Sequence, residues 1–298
     1  MKNLLSAVAT AALLLGAAGL QAQTLDKIRK DGAITIGHRD SSIPFSYLND
    51  KQEPIGYSMD ICLKIADAVK AELKLPNLAV KMAPVTSATR IPLMANGTID
   101  LECGSTTNNA DRQKQVAYAP TTFITANRFV TKKAANVANF DGLKGKTIVS
   151  TSGSTNIKQA TELNAARNLG MNIMAAKDHA EAFLMVETGR AVAFVMDDIL
   201  LYSLVATAKT PADYVVSAEA LSTEPYGIML RRDDPSFKAL VDRTVGGLMQ
   251  SGEIEKIYAK WFLAPVPPKN VNLNLPISTA LKRTFAKPTD SPEPKVYE

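Results

Sequence analysis

The sequence predicts an α/β protein of two lobes, each a mostly parallel sheet flanked by helices. Three observations carry this. Strand-like and helix-like runs alternate over residues 33–116. The same alternation recurs over 146–208. Two long extended stretches, 118–132 and 214–231, follow the two units and suit connections between lobes.

The elements follow in order. Residues 33–38 read as a strand. Residues 57–73 place Ile61, Ile65, Ala68 and Val69 at helical spacing, against Lys64, Asp67, Lys70 and Glu72. A strand over 78–85 leads to a helix over 87–96, stopped by Gly97. A strand over 99–103 and a short helix over 109–116 close the first unit. The second unit has strands over 146–150, 172–176 and 191–196. Its helices cover 155–168, 180–188 and 199–208, and Gly170 and Gly189 end the first two. One long helix is expected over 235–261. Beyond Trp261, Pro265, Pro267, Pro268, Pro276, Pro288, Pro292 and Pro294 exclude long regular elements. That tail is expected to lie over the surface and to fray after Lys287.

Composition narrows the class. With 46% hydrophobic and 21% charged residues, the chain is neither disordered, collagen-like nor coiled coil. The excess of 34 Lys and Arg over 29 Asp and Glu is small and scattered, so no nucleic-acid stripe exists. Lys2 is the only charge before Asp26. An Ala- and Leu-rich run from Leu4 to Leu20 follows, then a small-residue cut site at Ala22. This order describes a secretory signal peptide over residues 1–22. The run is short of the ~20 residues of a membrane span. No cysteine adjoins the cut, which argues against a lipid anchor. The mature protein is therefore expected to be exported and soluble. Its two cysteines, Cys62 and Cys103, either form a disulfide or remain two buried thiols; sequence alone does not fix their separation.

Ligands of open α/β sheets bind beyond the carboxyl ends of strands. In the first unit those positions carry His38, Arg39 and Asp40, then Thr86, Ser87 and Arg90, then Ser105, Thr106 and Thr107, with Arg112 beyond. In the second they carry Thr151 to Thr155, then Asp178 and His179, then Asp197 and Asp198. Arginine forks hold carboxylates, helix-opening N–H groups hold anions, and a lone acid accepts an ammonium. Together they suit a zwitterion with a second negative charge, which is an acidic amino acid. His38 reads better as a core histidine, His179 equally as a surface residue at a helix start, and Asp197 and Asp198 as a helix cap with a first-turn acid. Catalytic signals are weak: there is no G-x-S-x-G elbow, no H-E-x-x-H and no phosphate loop, and nothing calls for a cofactor or metal.

Read as motifs, the same residues resemble a known family. Gly37-His38-Arg39-Asp40-Ser41-Ser42-Ile43-Pro44-Phe45-Ser46-Tyr47 and Gly56-Tyr57-Ser58-Met59-Asp60 look like the periplasmic solute-binding proteins of the polar amino-acid type, family 3. Val85-Thr86-Ser87 with Arg90-Ile91-Pro92-Leu93, and Glu102-Cys103-Gly104-Ser105-Thr106-Thr107, narrow the likeness to glutamate/aspartate-binding members of ABC importers. So do Ala176-Lys177-Asp178-His179, Glu187-Thr188-Gly189-Arg190 and Pro267-Pro268-Lys269-Asn270.

The resemblance implies a type II periplasmic clamp with two hinge strands, closing on ligand. It implies lobe 1 over 24–123 and 223–298, and lobe 2 over 124–222. Arg112, Ser105, Thr107 and Thr155 match the positions that hold an α-carboxylate. Asp197 matches the acid that takes the α-ammonium, with Ser105 assisting; Asp198 beside it is a candidate to share that role. Arg39, Ser87 and Arg90 match the holders of the side-chain carboxylate, and His179 closes on it. Protonation of His179 near that anion would strengthen binding at lower pH. The implied function is capture of L-glutamate or L-aspartate by a periplasmic monomer and delivery to an inner-membrane ABC permease, without catalysis. Two alternatives share the fold: a cyclohexadienyl dehydratase-like enzyme, which would turn over arogenate or prephenate, and a sensory ligand receptor.

Overall fold

A computed structural model describes residues 24–298. The expected signal peptide lies outside the described residues. Two central sheets define two lobes. In the first, the strand order is Ala79–Pro84, Ala33–His38, Leu101–Glu102, Met229–Arg231 and Val116–Tyr118. In the second it is Asn172–Ala176, Thr147–Thr151, Ala193–Asp197, Phe123–Lys132 and Tyr214–Val216. Each sheet starts with three parallel strands and then takes an antiparallel one, Met229–Arg231 or Phe123–Lys132. Those two belong to the extended stretches, so the chain enters each sheet against the grain as it passes between lobes.

The lobes are joined by two antiparallel strands. Phe123–Lys132 pairs with Thr223–Tyr226, Phe123 opposite Tyr226 and Ala126 opposite Thr223. Their aromatic ends are anchored in the core of the first lobe. Phe45 meets Phe123 edge-on at 4.9 Å and Tyr226 at 5.2 Å, and Phe262 stacks on Phe123 at 5.0 Å. Such pairs add about 1 kcal/mol each beyond burial, so the joint is stiff at its first-lobe end. Among the described residues no helix is long and apolar enough to cross a membrane.

Several expectations are corrected. The helix over 235–261 is two helices, Pro235–Gln250 and Glu253–Phe262. The break falls at Gly252, which takes φ +74, a left-handed conformation that ends the first helix although the apolar pattern continues. The helix expected from Ser87 begins at Arg90, because Thr86 and Thr89 each accept the other's backbone N–H through their hydroxyls. The tail does lie over the surface but does not fray after Lys287. Ser278 caps a helix over Thr279–Ala286, and Tyr297 is buried. The Tyr297 hydroxyl donates to Ser291 O and bonds Thr121 Oγ1, both at 2.8 Å. Cys62, on the helix Tyr57–Leu73, and Cys103 form a disulfide across a Cα separation of 6.3 Å.

Candidate functional site

The site lies where strand ends of the two sheets face each other. The first-lobe wall is cationic. Arg39 follows the strand Ala33–His38, its backbone N–H held by Ser46 Oγ at 2.9 Å. Its guanidinium is buried; Nη2 is 3.5 Å from His179 Nε2 and Nη1 has no partner within the protein. Arg90, at the start of its helix, donates from Nη1 to Thr106 Oγ1 at 2.5 Å and to Ser105 O at 3.3 Å, and its Nε has no partner. Asn109 caps the short helix Ala110–Gln113, accepting the N–H of Arg112 at 3.0 Å. Arg112 then donates to Thr107 O at 2.8 Å and across the cleft to Gly153 O at 3.3 Å. Ser87, Ser105 and Thr107 are all buried, and Ser105 Oγ has no partner within the protein.

The second-lobe wall faces it. His179 opens the helix His179–Glu187, whose N-cap Asp178 accepts the Glu181 N–H. Thr151 Oγ1 bonds His179 Nδ1 at 2.8 Å and so orients the ring toward Arg39. Asp197 ends the strand Ala193–Asp197. Its Oδ1 accepts from Asn156 Nδ2 at 2.8 Å and its Oδ2 from the Tyr226 hydroxyl. Thr155 donates to Glu224 at 3.2 Å. The walls touch where Gly153 meets Ser87 and Ala88. A Cβ on Gly153 would lie 2.6 Å from Ala88 Cα, so no larger residue fits this closed approach.

Burial shapes the electrostatics. Desolvation, with further repulsion from Arg112 and Arg39, lowers Arg90 to about 9, while Glu102 opposes the fall. Desolvation also lowers Arg39. His179 is pushed well below its usual value by burial and by the Arg39 and Arg90 charges, so it is a neutral imidazole in the ligand-free protein. Asp197 is raised to about 7, by burial first and the Glu224 charge second. One wall is short of negative charge and the other holds a carboxylate short of positive charge. A molecule with carboxylates at one side and an ammonium at the other relieves both.

The family model for bacterial extracellular solute-binding proteins, family 3, matches residues 34–264. The chain belongs to that family. An L-glutamate/L-aspartate-binding protein of Pseudomonas aeruginosa is 52% identical over 291 residues, covering 97% of this chain and 96% of the relative. A glutamate/aspartate import solute-binding protein of Escherichia coli K12 is 48% identical over 274 residues, covering 92% and 91%. Among solved structures, a mutant of the arginine-binding protein of T. maritima shares the fold with a TM-score of 0.71 at 24% identity, over 80% of this chain and 98% of that one.

For a solute-binding protein, the placement of the nine expected ligand residues is informative. Arg39, Ser87, Arg90, Ser105, Thr107, Arg112, Thr155, His179 and Asp197 all stand on the two facing walls. Asp198 does not join Asp197. It accepts from Thr125 Oγ1 at 2.6 Å and Arg128 Nε at 3.1 Å, away from the cleft. His38 is buried, with Nδ1 3.5 Å from Asp40 Oδ1, as fits its core reading. Sequence reasoning assigned no role to Glu102, Asn156, Glu224 or Tyr226, all buried at the site. Tyr226 lies in an extended stretch with no local signal; only the strand pairing brings its hydroxyl to Asp197.

Proposed function

We propose that this solute-binding protein captures L-glutamate and L-aspartate in the periplasm and delivers them to an inner-membrane ABC permease. The observation that carries the reading is the pairing of buried Arg39, Arg90 and Arg112 on one wall with buried Asp197 on the other. The specificity named for the Pseudomonas aeruginosa and Escherichia coli relatives supports it. In this reading Arg112, Ser105, Thr107 and Thr155 take the α-carboxylate, and Asp197 takes the ammonium. Arg39, Ser87 and Arg90 take the side-chain carboxylate, with neutral His179 covering it. Lobe 1, residues 24–123 and 223–298, seats the ligand; lobe 2, residues 124–222, swings on the Phe123–Ala126 and Thr223–Tyr226 strand pair. The chain acts as a monomer, exported by its signal peptide. Glutamine would leave a buried arginine under-satisfied at a cost of roughly 1–3 kcal/mol or more.

The test is calorimetric titration of the ligand-stripped mature chain with L-glutamate, L-aspartate and L-glutamine. Tight binding of an acid with a much weaker response to glutamine is expected. No response to either acid overturns the reading.

A further inference from the structure

Glu102 ends the strand Leu101–Glu102 and is completely buried. A carboxylate in such a place needs cations or hydrogen bonds, because an unmatched buried charge is strongly disfavoured. Thr106 donates its hydroxyl to Glu102 Oε2 at 2.5 Å, and the same hydroxyl oxygen accepts from Arg90 Nη1 at 2.5 Å. Glu102 Oε1 makes no hydrogen bond within the protein and stands 3.8 Å from Arg90 Nη1. Arg39 approaches from the other side across Gly104. A Cβ on Gly104 would lie 2.3 Å from Glu102 Oε1 and 2.9 Å from Arg39 Cγ, so only glycine lets the two close in. Desolvation depresses Arg39 most, and the Glu102 charge is the main influence restoring it. The geometry is therefore one internal carboxylate tied to Arg90 through Thr106, with the Arg39 stem packed beside it across Gly104, so that one negative charge stands against the two guanidinium charges of this wall.

We propose that Glu102 sets the charge selectivity of the cleft: it holds Arg90 through Thr106 and cancels one of the two charges of Arg39 and Arg90, so this subsite accepts one carboxylate and disfavours a dianion. The inference rests on the acidic amino-acid reading above. Glu102 is a positioning residue, because the arginines and not Glu102 meet the ligand. Without it, the pair would carry two uncompensated charges in a dry site, which favours a dianion over a monoanion and penalises a neutral amide further.

The test compares wild type with Glu102→Gln, which keeps the shape and removes the charge. Calorimetry reads affinities for L-glutamate, L-glutamine and O-phospho-L-serine, whose side chain is a dianion. The phosphoserine-to-glutamate affinity ratio is expected to rise about tenfold or more in Glu102→Gln, and the glutamine-to-glutamate ratio to fall. Affinities that are unchanged, or that all change by one common factor, overturn the proposal, since a merely structural role moves them together. If Glu102→Gln does not fold, Thr106→Val is read instead. It cuts the link to Arg90 and is expected to weaken glutamate at least about fivefold more than glutamine; equal weakening overturns the proposal. Wild type that binds no acidic amino acid would instead refute the reading on which the inference rests.

Discussion

The pH dependence of binding follows from Asp197. Its carboxylate is buried between Asn156 and Tyr226, and burial together with Glu224 raises it from 3.8 to about 7. The raised value means that the folded, ligand-free protein binds more protons than the unfolded chain between about pH 4 and 7. Its stability therefore falls as pH rises through that window, by about 4 kcal/mol if Asp197 acts alone. A ligand ammonium placed on Asp197 reverses the balance, because it favours the carboxylate. Binding below pH 7 must then expel a proton. Affinity for L-glutamate should be nearly level above pH 7 and fall toward tenfold per unit below it, about 50-fold between pH 7 and pH 5. In the ligand-free protein burial and two arginines hold His179 neutral, so Asp197 is the group that carries the proton to be released. The assay is titration calorimetry at several pH values, in buffers of different ionisation heat. Proton release should approach one per ligand near pH 6. Asp197→Asn should bind weakly and lose the slope. A flat profile from pH 5 to 8, or tighter binding in acid, would refute the reasoning.

Three further perturbations probe the frame. Reducing the Cys62–Cys103 disulfide, which closes a loop of sequence separation 41, should cost about 4 kcal/mol, seen as a lower thermal midpoint under reductant. Gly104→Ala places a methyl group against Glu102 and Arg39, and should weaken L-glutamate binding at least about tenfold; unchanged binding by calorimetry would show that the arginine wall is not fixed there. Tyr297→Ala empties the buried site under the tail and should cost about 3 kcal/mol in a denaturant titration. Tyr297→Phe, which keeps the ring and removes the hydroxyl, should cost about 1 kcal/mol.

The cationic wall was legible in the sequence because one geometric rule governs it. Side chains just past parallel strands face the crevice, so Arg39, Arg90 and Arg112 can be picked out without knowing the packing. The choice between Asp197 and Asp198 was not legible. The two residues differ by one backbone step, and that step alone sends one carboxylate to Asn156 and Tyr226 and the other to Arg128. Glu102 was hidden for a related reason. Its role depends on Thr106 and Gly104, which are local, and on Arg39 and Arg90, which are not. The disulfide needed the separation between a helix and a strand end, a tertiary quantity. Gly252 breaks a helix whose apolar pattern never falters, since one left-handed residue outweighs periodicity. Tyr297 shows the converse error: a proline-rich end looks loose until a single aromatic finds a pocket.

In the proposed reading, selectivity and closure rest on the same atoms. Direct contacts across the cleft include Arg112 to Gly153 O at 3.3 Å, Arg39 to His179 at 3.5 Å and, from the hinge strand, Tyr226 to Asp197 and Glu224 to Thr155 at 3.2 Å and Gln159 at 2.7 Å, with the exposed pair Lys158 to Asp111 at 3.0 Å. Exposed pairs of the last kind contribute little. Against these stand Arg39 Nη1, Arg90 Nε and Ser105 Oγ, buried in the closed form with no partner in the protein, each at a cost of about 1–3 kcal/mol. Those unmet donors oppose closure when no ligand is bound. A ligand can bias closure only through its differential affinity for the closed form. Carboxylates that satisfy those donors, with an ammonium that discharges Asp197, supply that difference. A ligand lacking either group would be disfavoured by weaker contacts and by a smaller closed population, so one missing charge is penalised twice.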